Sequence, residues 1–401
     1  PIIDNAMTNT SNRSNDILIA GGGIGGLAAA LALAQAGLSS TVFEQAREFG
    51  EIGAGIQLAP NAFRALDSLG VRNSILKGGV FIDHLVMMDL MSDEVIAEIP
   101  VQEAFRERFG NPYAVIHRRD LLDTLLSGCR GNDLVRLIGG TKIIDFKQTD
   151  ERVIVFSESG ERHEGLGLVG ADGLRSLIRE NIIGDGGPAV SGHVSYRAVL
   201  PVEDMPEELR WNTATLWGGP NTHLVHYPLR GGELFNIVIT FHSAREEQGM
   251  MNEEGSREEV MEYFGSFAER PLKILEKPKE WRRWSLCYRE SAVNWTDGRA
   301  TLLGDAAHPM LQYFAQGACM ALEDAVCLAG CVAAADDLPQ AFVTYQNARL
   351  VRTGRVQLSA QMLGHFFHAD GGARLVRNSI FQKRTPEEHY DALAWIYGGP
   401  N

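Results

Sequence analysis

The sequence predicts an α/β chain, α+β overall. A discontinuous Rossmann-like dinucleotide-binding domain is interrupted by an antiparallel-sheet domain and followed by a helical C-terminus. Three observations predict this. Residues 16–44 read strand, glycine turn, helix, strand, acid. Two further apolar runs of strand length, Leu166–Gly170 and Ala300–Gly304, lead into Asp-bearing turns far downstream. Between them, residues 191–284 lose helical periodicity and show alternating strand patterns instead. The expected layout is a disordered tail over 1–15, the nucleotide domain over 16–190 and 285–335, the sheet domain over 191–284 and helices over 336–401. Sheet segments around 80–110 fit the sheet domain as well as the first.

The first element is the most specific. Ile17–Ala20 is an apolar run that stops at Gly21-Gly22-Gly23-Ile24-Gly25-Gly26, and an Ala/Leu-rich helix follows from about Leu27 to Ala36. Gly21, Gly23 and Gly26 have the G-x-G-x-x-G spacing. The first glycine permits the tight turn, the second lets a pyrophosphate approach the backbone, and the third lets helix and strand pack closely. The helix N-terminus then offers free N–H groups and partial positive charge. Thr41–Phe43 is the second strand, and Glu44 stands at its end. That is roughly 20 residues past the glycines, where a carboxylate accepts hydrogen bonds from a ribose. A free ribose fits FAD or NAD rather than NADP. A bare glycine motif is common; the strand, helix, second strand and acid around this one make it specific.

At 401 residues the chain can bury a large core. Hydrophobic residues make up 45% and charged residues 22%, as in ordinary globular proteins. The net charge of −14, with 37 Lys+Arg against 51 Asp+Glu, argues against nucleic acid as a partner. No apolar stretch is expected to reach the length of a membrane span, and the polar first 15 residues lack a secretory h-region. The five cysteines (Cys129, Cys287, Cys319, Cys327, Cys331) have no zinc spacing and read as free thiols of a reducing cytoplasm, with no metal.

In chain order, Gln45–Gly55 reads as a loop carrying Arg47, and Ile56–Leu58, with Gln57 at its centre, as a short strand. Tyr113–Ile116 is another strand, and Arg118 opens the helix after it. An arginine there can reach a phosphate or a flavin; it can equally be a solvated surface charge. Leu166–Gly170 has the near-continuous apolar character of a buried parallel strand. It delivers Asp172 and Gly173 at its C-terminal end, where open α/β sheets bind ligands. In Thr222–Leu229, alternation places His223, Val225 and Tyr227 on one face and Leu224 and His226 on the other. His223 and Tyr227 can therefore share a pocket, although a lone strand histidine is more often structural. Residues 304–309, GDAAHP, precede a loop and an Ala-rich helix to Ala334, so the first domain resumes after the sheet domain. The helical C-terminal third carries Phe366, Phe367, Phe381, Tyr390, Trp395 and Tyr397, which can close a pocket, form a homodimer face or simply pack.

Three motifs in order, GGGIGG with Glu44, GADGLRS at 170–176 and GDAAHP at 304–309, resemble the single-component aromatic-ring hydroxylases. These are flavoprotein monooxygenases of the p-hydroxybenzoate hydroxylase type, and the resemblance runs from Asp16 to the C-terminal helices. It implies tightly bound, non-covalent FAD held by Gly21, Gly23, Gly25 and Gly26, with Glu44 on the ribose. Arg118 matches a contact on the flavin side, and Asp172 belongs to a pair serving FAD and NAD(P)H. Asp305 matches a contact to the ribityl and pyrophosphate region. Pro309 lies beside the flavin face, and the helix start Gly317, Ala318, Cys319 faces the ring. Arg47 and Gln57 join the cofactor set. NADH then binds transiently as co-substrate, O₂ is activated as a flavin C4a-hydroperoxide, and the substrate is a small aromatic carboxylic acid. His223, with a pKa tunable around neutrality, is the implied base for the phenol. Gln312 contacts the phenolic oxygen or orients the ring, and Tyr227 binds the carboxylate or joins a proton relay. A homodimer is expected, and a packing role for His308.

Overall fold

The computed structural model describes residues 15–50, 54–245 and 253–399. Apart from Asn15, the expected tail lies outside them. Ile17–Ala20 sits inside a six-stranded sheet ordered Thr296–Asp297, Ala300–Leu302, Gly167–Gly170, Ile17–Ala20, Ser40–Phe43, Val135–Ile138. All neighbours pair parallel except the first two. The central strands Ile17–Ala20 and Gly167–Gly170 carry no polar side chain and are buried along their whole length because both faces are covered. Helix Ile24–Gln35 covers one of them, with Leu27, Ala28, Ala29 and Ala30 fully buried. It starts at Ile24, three residues earlier than the alanine-rich run indicates, because Gly23 already serves as its N-cap. Ile17–Ala20 is flanked by strands from both directions along the chain, which opens a crevice at its C-terminal end.

The second large sheet has eight strands: Glu253–Gly255, Trp281–Tyr288, Ala189–Pro201, Leu234–His242, Thr222–Leu229, Thr213–Gly219, His84–Asp89, Val95–Pro100. The last two come from the early 80–110 segment, which also contains a helix, Glu103–Phe109. They join through a parallel pairing of His84–Asp89 with Thr213–Gly219. Trp217, Leu224, Ile237, Ile239 and Phe241 cover one face with a core of their own. The charged stretch over 253–276 is a short strand and two helices, Arg257–Phe264 and Glu269–Leu275. Ser256 caps the first, accepting from the Glu259 N–H. A small sheet of Gly55–Leu58, Ala114–His117 and Val80–Phe81 is tied to the large one where the Gly55 N–H donates to Asn236 Oδ1, 2.8 Å.

Helices Gly317–Ala334, Leu338–Phe367, Gly371–Gln382 and Pro386–Tyr397 complete the chain. The first has 18 residues at mean hydropathy 1.6, long and apolar enough to cross a membrane. This corrects the expectation that no stretch approaches that length. Here the helix is a core element, and its buried Glu323 and Asp324 are paired. Arg349 reaches both at 2.6 Å and Arg352 reaches Glu323 at 2.7 Å. Buried carboxylates require such partners. Helix Gly371–Gln382 is held to the sheet edge by buried Asp89, which accepts from Arg374 (2.8 Å), Arg377 (3.0 Å) and Asn378 (2.9 Å).

Candidate active site

One cavity of about 1310 Å³ runs from the glycine turn to the inner face of the eight-stranded sheet. At the turn, Gly21 has φ +107°, and a Cβ there would lie 2.2 Å from the Ala171 carbonyl oxygen. A Cβ on Gly26 would lie 1.9 Å from the Gly21 oxygen, so the helix can approach the strand only with glycine. The Cβ position of Gly23 is open, with no atom of the described residues within 4 Å. Glu44 lines the cavity and also braces the turn, accepting from the N–H groups of Gly22 and Ala46, each at 2.9 Å.

Asp172 lines the cavity with Gly173. Its carboxylate caps the helix Leu177–Ile182: Ser176 Oγ donates at 2.5 Å and the Leu177 N–H at 2.8 Å. Burial raises its pKa, against those hydrogen bonds. On the same helix, fully buried Arg179 reaches across to the GDAAHP segment. It donates to the Ala306 and Ala307 carbonyls at 3.0 and 2.7 Å and pairs with Asp185 at 2.6 Å. Two motifs far apart in sequence are thus one unit, and the sequence reading missed Arg179. Its place one helical turn after Ser176 was the available signal.

Asp305 stands open to the cavity yet is surrounded by protein on its other sides. That low-dielectric setting raises its pKa, and Arg118, which also lines the cavity, opposes the rise. Next to it begins helix Gly317–Ala334, whose N-cap Gln316 makes no side-chain capping bond. The preceding Ala315 has φ +51°, an unusual conformation for a residue with a Cβ, and it aims the helix start at the cavity. Gly317 and Ala318 line the wall. Cys319 sits behind them, its thiol pointing back to the Gln57 carbonyl and its pKa pushed by burial to about 12. Gln57 lines the cavity and accepts from Tyr113 Oη at 2.6 Å. Pro309 is outside the lining; its carbonyl accepts from Gln357 Nε2 at 2.9 Å. His308 does more than pack: Nε2 meets Asp324 Oδ2 at 2.5 Å and fixes the loop to the core helix. Arg47 borders a separate pocket with Arg119 and Arg130 and does not line this cavity.

The inner sheet face supplies the far wall. His223, Val225 and Tyr227 line it, while Leu224 and His226 point to the other side, as the alternation predicts. Tyr227 packs on Gly55, where a Cβ would come within 2.4 Å of its ring. Gln312 borders the cavity, but both ends of its amide are engaged. Nε2 donates to Thr240 Oγ1 (2.9 Å) and Ser195 Oγ (3.2 Å), and Oε1 accepts from Arg197 (2.8 Å). His223 is 2% exposed, and its Nδ1 lies 2.7 Å from His368 Nε2. Burial, with the neighbouring His193, pushes its pKa down to about 3. That corrects the expectation of a value near neutrality: its neighbours among the described residues are imidazoles and aromatic rings, which do not favour the cation as a carboxylate would. His368, His193 and the Tyr313–His193 bond (2.6 Å) were not foreseen, because they come from three distant segments. Phe367, Phe381, Trp395 and Tyr397 of the C-terminal helices close the cavity.

These features fit a flavin dinucleotide. The open Gly23 position and the adjacent helix start suit a pyrophosphate, and Glu44 suits a ribose. The long cavity with a second uncapped helix start suits an isoalloxazine ring. The chain belongs to the FAD-dependent aromatic-ring hydroxylases, a family of flavoprotein monooxygenases: residues 14–356 match the FAD binding domain family. It is 50% identical over 383 residues to 3-hydroxybenzoate 6-hydroxylase of Polaromonas naphthalenivorans (strain CJ2), covering 95% of each chain. It is 49% identical over 388 residues to 3-hydroxybenzoate 6-hydroxylase 1 of Aquipseudomonas alcaligenes, covering 96% of this chain and 98% of that one. Among solved structures, Klebsiella pneumoniae HpxO complexed with FAD and uric acid superposes with a TM-score of 0.83 at 24% identity, over 95% of this chain and 96% of that one. That likeness speaks for the fold.

Proposed function

We propose that this flavoprotein monooxygenase hydroxylates 3-hydroxybenzoate at the carbon para to its hydroxyl. The product is gentisate (2,5-dihydroxybenzoate), and NADH and O₂ are consumed as NAD⁺ and water form. One observation carries the reading: His223, Tyr227 and Gln312 converge on the cavity wall of a chain half identical, nearly end to end, to relatives bearing that activity in their names. FAD, when bound, supplies the redox centre that takes electrons from NADH and activates O₂. The protein prepares the ring. A phenol with a pKa of about 10 costs about 4 kcal/mol to ionise at pH 7, and the ionised oxygen pushes electron density to its para carbon. His223, neutral at pH 7, takes the proton at the cavity side. Gln312, itself fixed by Ser195, Thr240 and Arg197, orients the ring from the cavity wall. Tyr227, wedged against Gly55, sets the depth of the ring.

Arg118, Asp172, Asp305 and the helix start around Gly317 belong to the cofactor side of the same reading. A homodimer belongs to it as well. Val351, Leu358 and Met362 of helix Leu338–Phe367 and Leu375 and Val376 of helix Gly371–Gln382 are exposed aliphatics suited to self-association. The test is NADH oxidation with 3-hydroxybenzoate, salicylate, 4-hydroxybenzoate and 6-hydroxynicotinate, with products separated by chromatography. Stimulation by 3-hydroxybenzoate with gentisate formed is the expected result. Stimulation only by another ring acid overturns the substrate and leaves the oxygen chemistry.

A further inference from the structure

His368 ends the long helix Leu338–Phe367 as its C-cap and is 9% exposed. Its carbonyl accepts from the Asn221 N–H at 3.1 Å, which pins this helix end to the turn that opens strand Thr222–Leu229. Its ring meets His223 side by side, with centroids 5.0 Å apart and Nε2 at 2.7 Å from His223 Nδ1. Two imidazole nitrogens at that distance share one proton, so one ring donates and the other accepts. This fixes both tautomers. For His223 to take a proton at Nε2, its Nδ1 must already carry one and donate it to His368 Nε2. His368 then carries its own proton on Nδ1. The titratable groups around His368 are His193 and exposed His242 of the sheet, exposed His365 of its own helix, and Tyr313 of the loop. Arg377 donates to the adjacent Phe367 carbonyl at 3.1 Å.

We propose that His368 is the positioning and relay residue behind His223, receiving at Nε2 the proton that leaves His223 Nδ1 when the substrate phenol ionises. The proposal deepens the function given above and rests on it. The steps balance. The phenol O–H breaks, and its proton joins His223 Nε2. The Nδ1 proton of His223 passes to His368 Nε2, and the Nδ1 proton of His368 leaves to water. Each ring gains one proton and gives one up, so neither stores charge in a buried place where an imidazolium is costly. When the product oxygen is reprotonated, the same bonds run backward and both tautomers reset. A single buried imidazole without a second ring would have to hold the cation until the site opened.

The test follows proton release. The FAD-loaded enzyme is mixed with 3-hydroxybenzoate in weak buffer with a pH indicator, and the phenolate absorbance of the bound ring is read in parallel. His368→Gln keeps an acceptor for His223 and cannot relay; His368→Phe removes both functions. Both variants are expected to keep their FAD and their shift of the flavin spectrum on binding the ring acid. Proton release slows in both by about tenfold or more. Release at the unmodified rate in His368→Gln overturns the relay and leaves His368 a purely orienting role. Release unchanged in both variants overturns both roles, with the hydroxylase reading untouched. Failure of 3-hydroxybenzoate to perturb the flavin spectrum of the unmodified enzyme overturns that reading and the relay with it.

Discussion

The buried imidazoles make this fold sensitive to mild acid, and the size of the effect follows from the structure. His223 (2% exposed), His226 (0%) and His368 (9%) are all shielded from water. Burial holds His223 and His226 down to about 3, and burial with the surrounding histidines holds His368 to about 2. In the unfolded chain each returns to about 6.5. Lowering the pH therefore protonates the unfolded chain first. Stability from these groups is complete above pH 6.5 and is lost as pH falls toward the folded values. Across the unit just below 6.5, where the unfolded imidazoles go from half to mostly protonated, each removes about 1 kcal/mol, so the three together remove about 3 kcal/mol between pH 6.5 and 5.5. That is a large share of the 5–15 kcal/mol typical of a folded protein. The assay is urea unfolding of the FAD-loaded enzyme at pH 7.5, 6.5 and 5.5, followed by tryptophan fluorescence. His226→Phe isolates one group: both of its ring nitrogens are buried without a partner among the described residues, and it stacks on Trp217. The variant is expected to lose about a third of the pH slope. A flat stability between pH 7 and 5.5, or an unchanged slope in His226→Phe, would refute the reasoning.

Arg179→Met keeps volume and removes the guanidinium that bridges Ala306, Ala307 and Asp185. It is expected to cost about 3 kcal/mol in stability and to weaken FAD retention at least about tenfold, read by flavin fluorescence on dilution. Asp185 keeps Arg289 at 2.8 Å, so the loss stays at the lower end for a broken buried pair. Gly23→Ala has room for its Cβ and is expected to fold normally but purify without colour, since the methyl enters the space the cofactor needs. Gly26→Ala collides with the Gly21 oxygen and is expected to lower the unfolding temperature as well. Asp89→Asn weakens the anchoring of helix Gly371–Gln382 and is expected to speed protease cleavage near residue 384 while the nucleotide sheet stays protected.

Local rules made the nucleotide half readable. Glycine spacing, an apolar strand and a terminal acid lie within one short stretch, so residues 16–44 announced their fold and ligand class. The face assignment of His223 and Tyr227 followed from strand alternation alone. What the sequence withheld was long-range. His368 meets His223 across 145 positions, and Arg197 meets Gln312 across 115. No periodicity encodes such pairs. The depressed pKa of His223 is illegible for the same reason: it depends on neighbours that only folding supplies. The apolar helix Gly317–Ala334 escapes a visual reading because Glu323 and Asp324 break the run, although the mean hydropathy does not fall below the range of a span.

The interrupted order of the six-stranded sheet also sets a timetable for biosynthesis. Strand Ala300–Leu302 pairs with Gly167–Gly170, and the helix that follows it packs beneath the first glycine-turn helix. A nascent chain therefore exposes an unfinished sheet edge while six of the eight strands of the second sheet are still being made. Asp305 and the helix start at Gly317 emerge last among the cofactor-facing groups. Flavin capture must then come near the end of translation. Until then the exposed edge at Gly167–Gly170 is the place where a chaperone, or a misplaced strand from another chain, would engage.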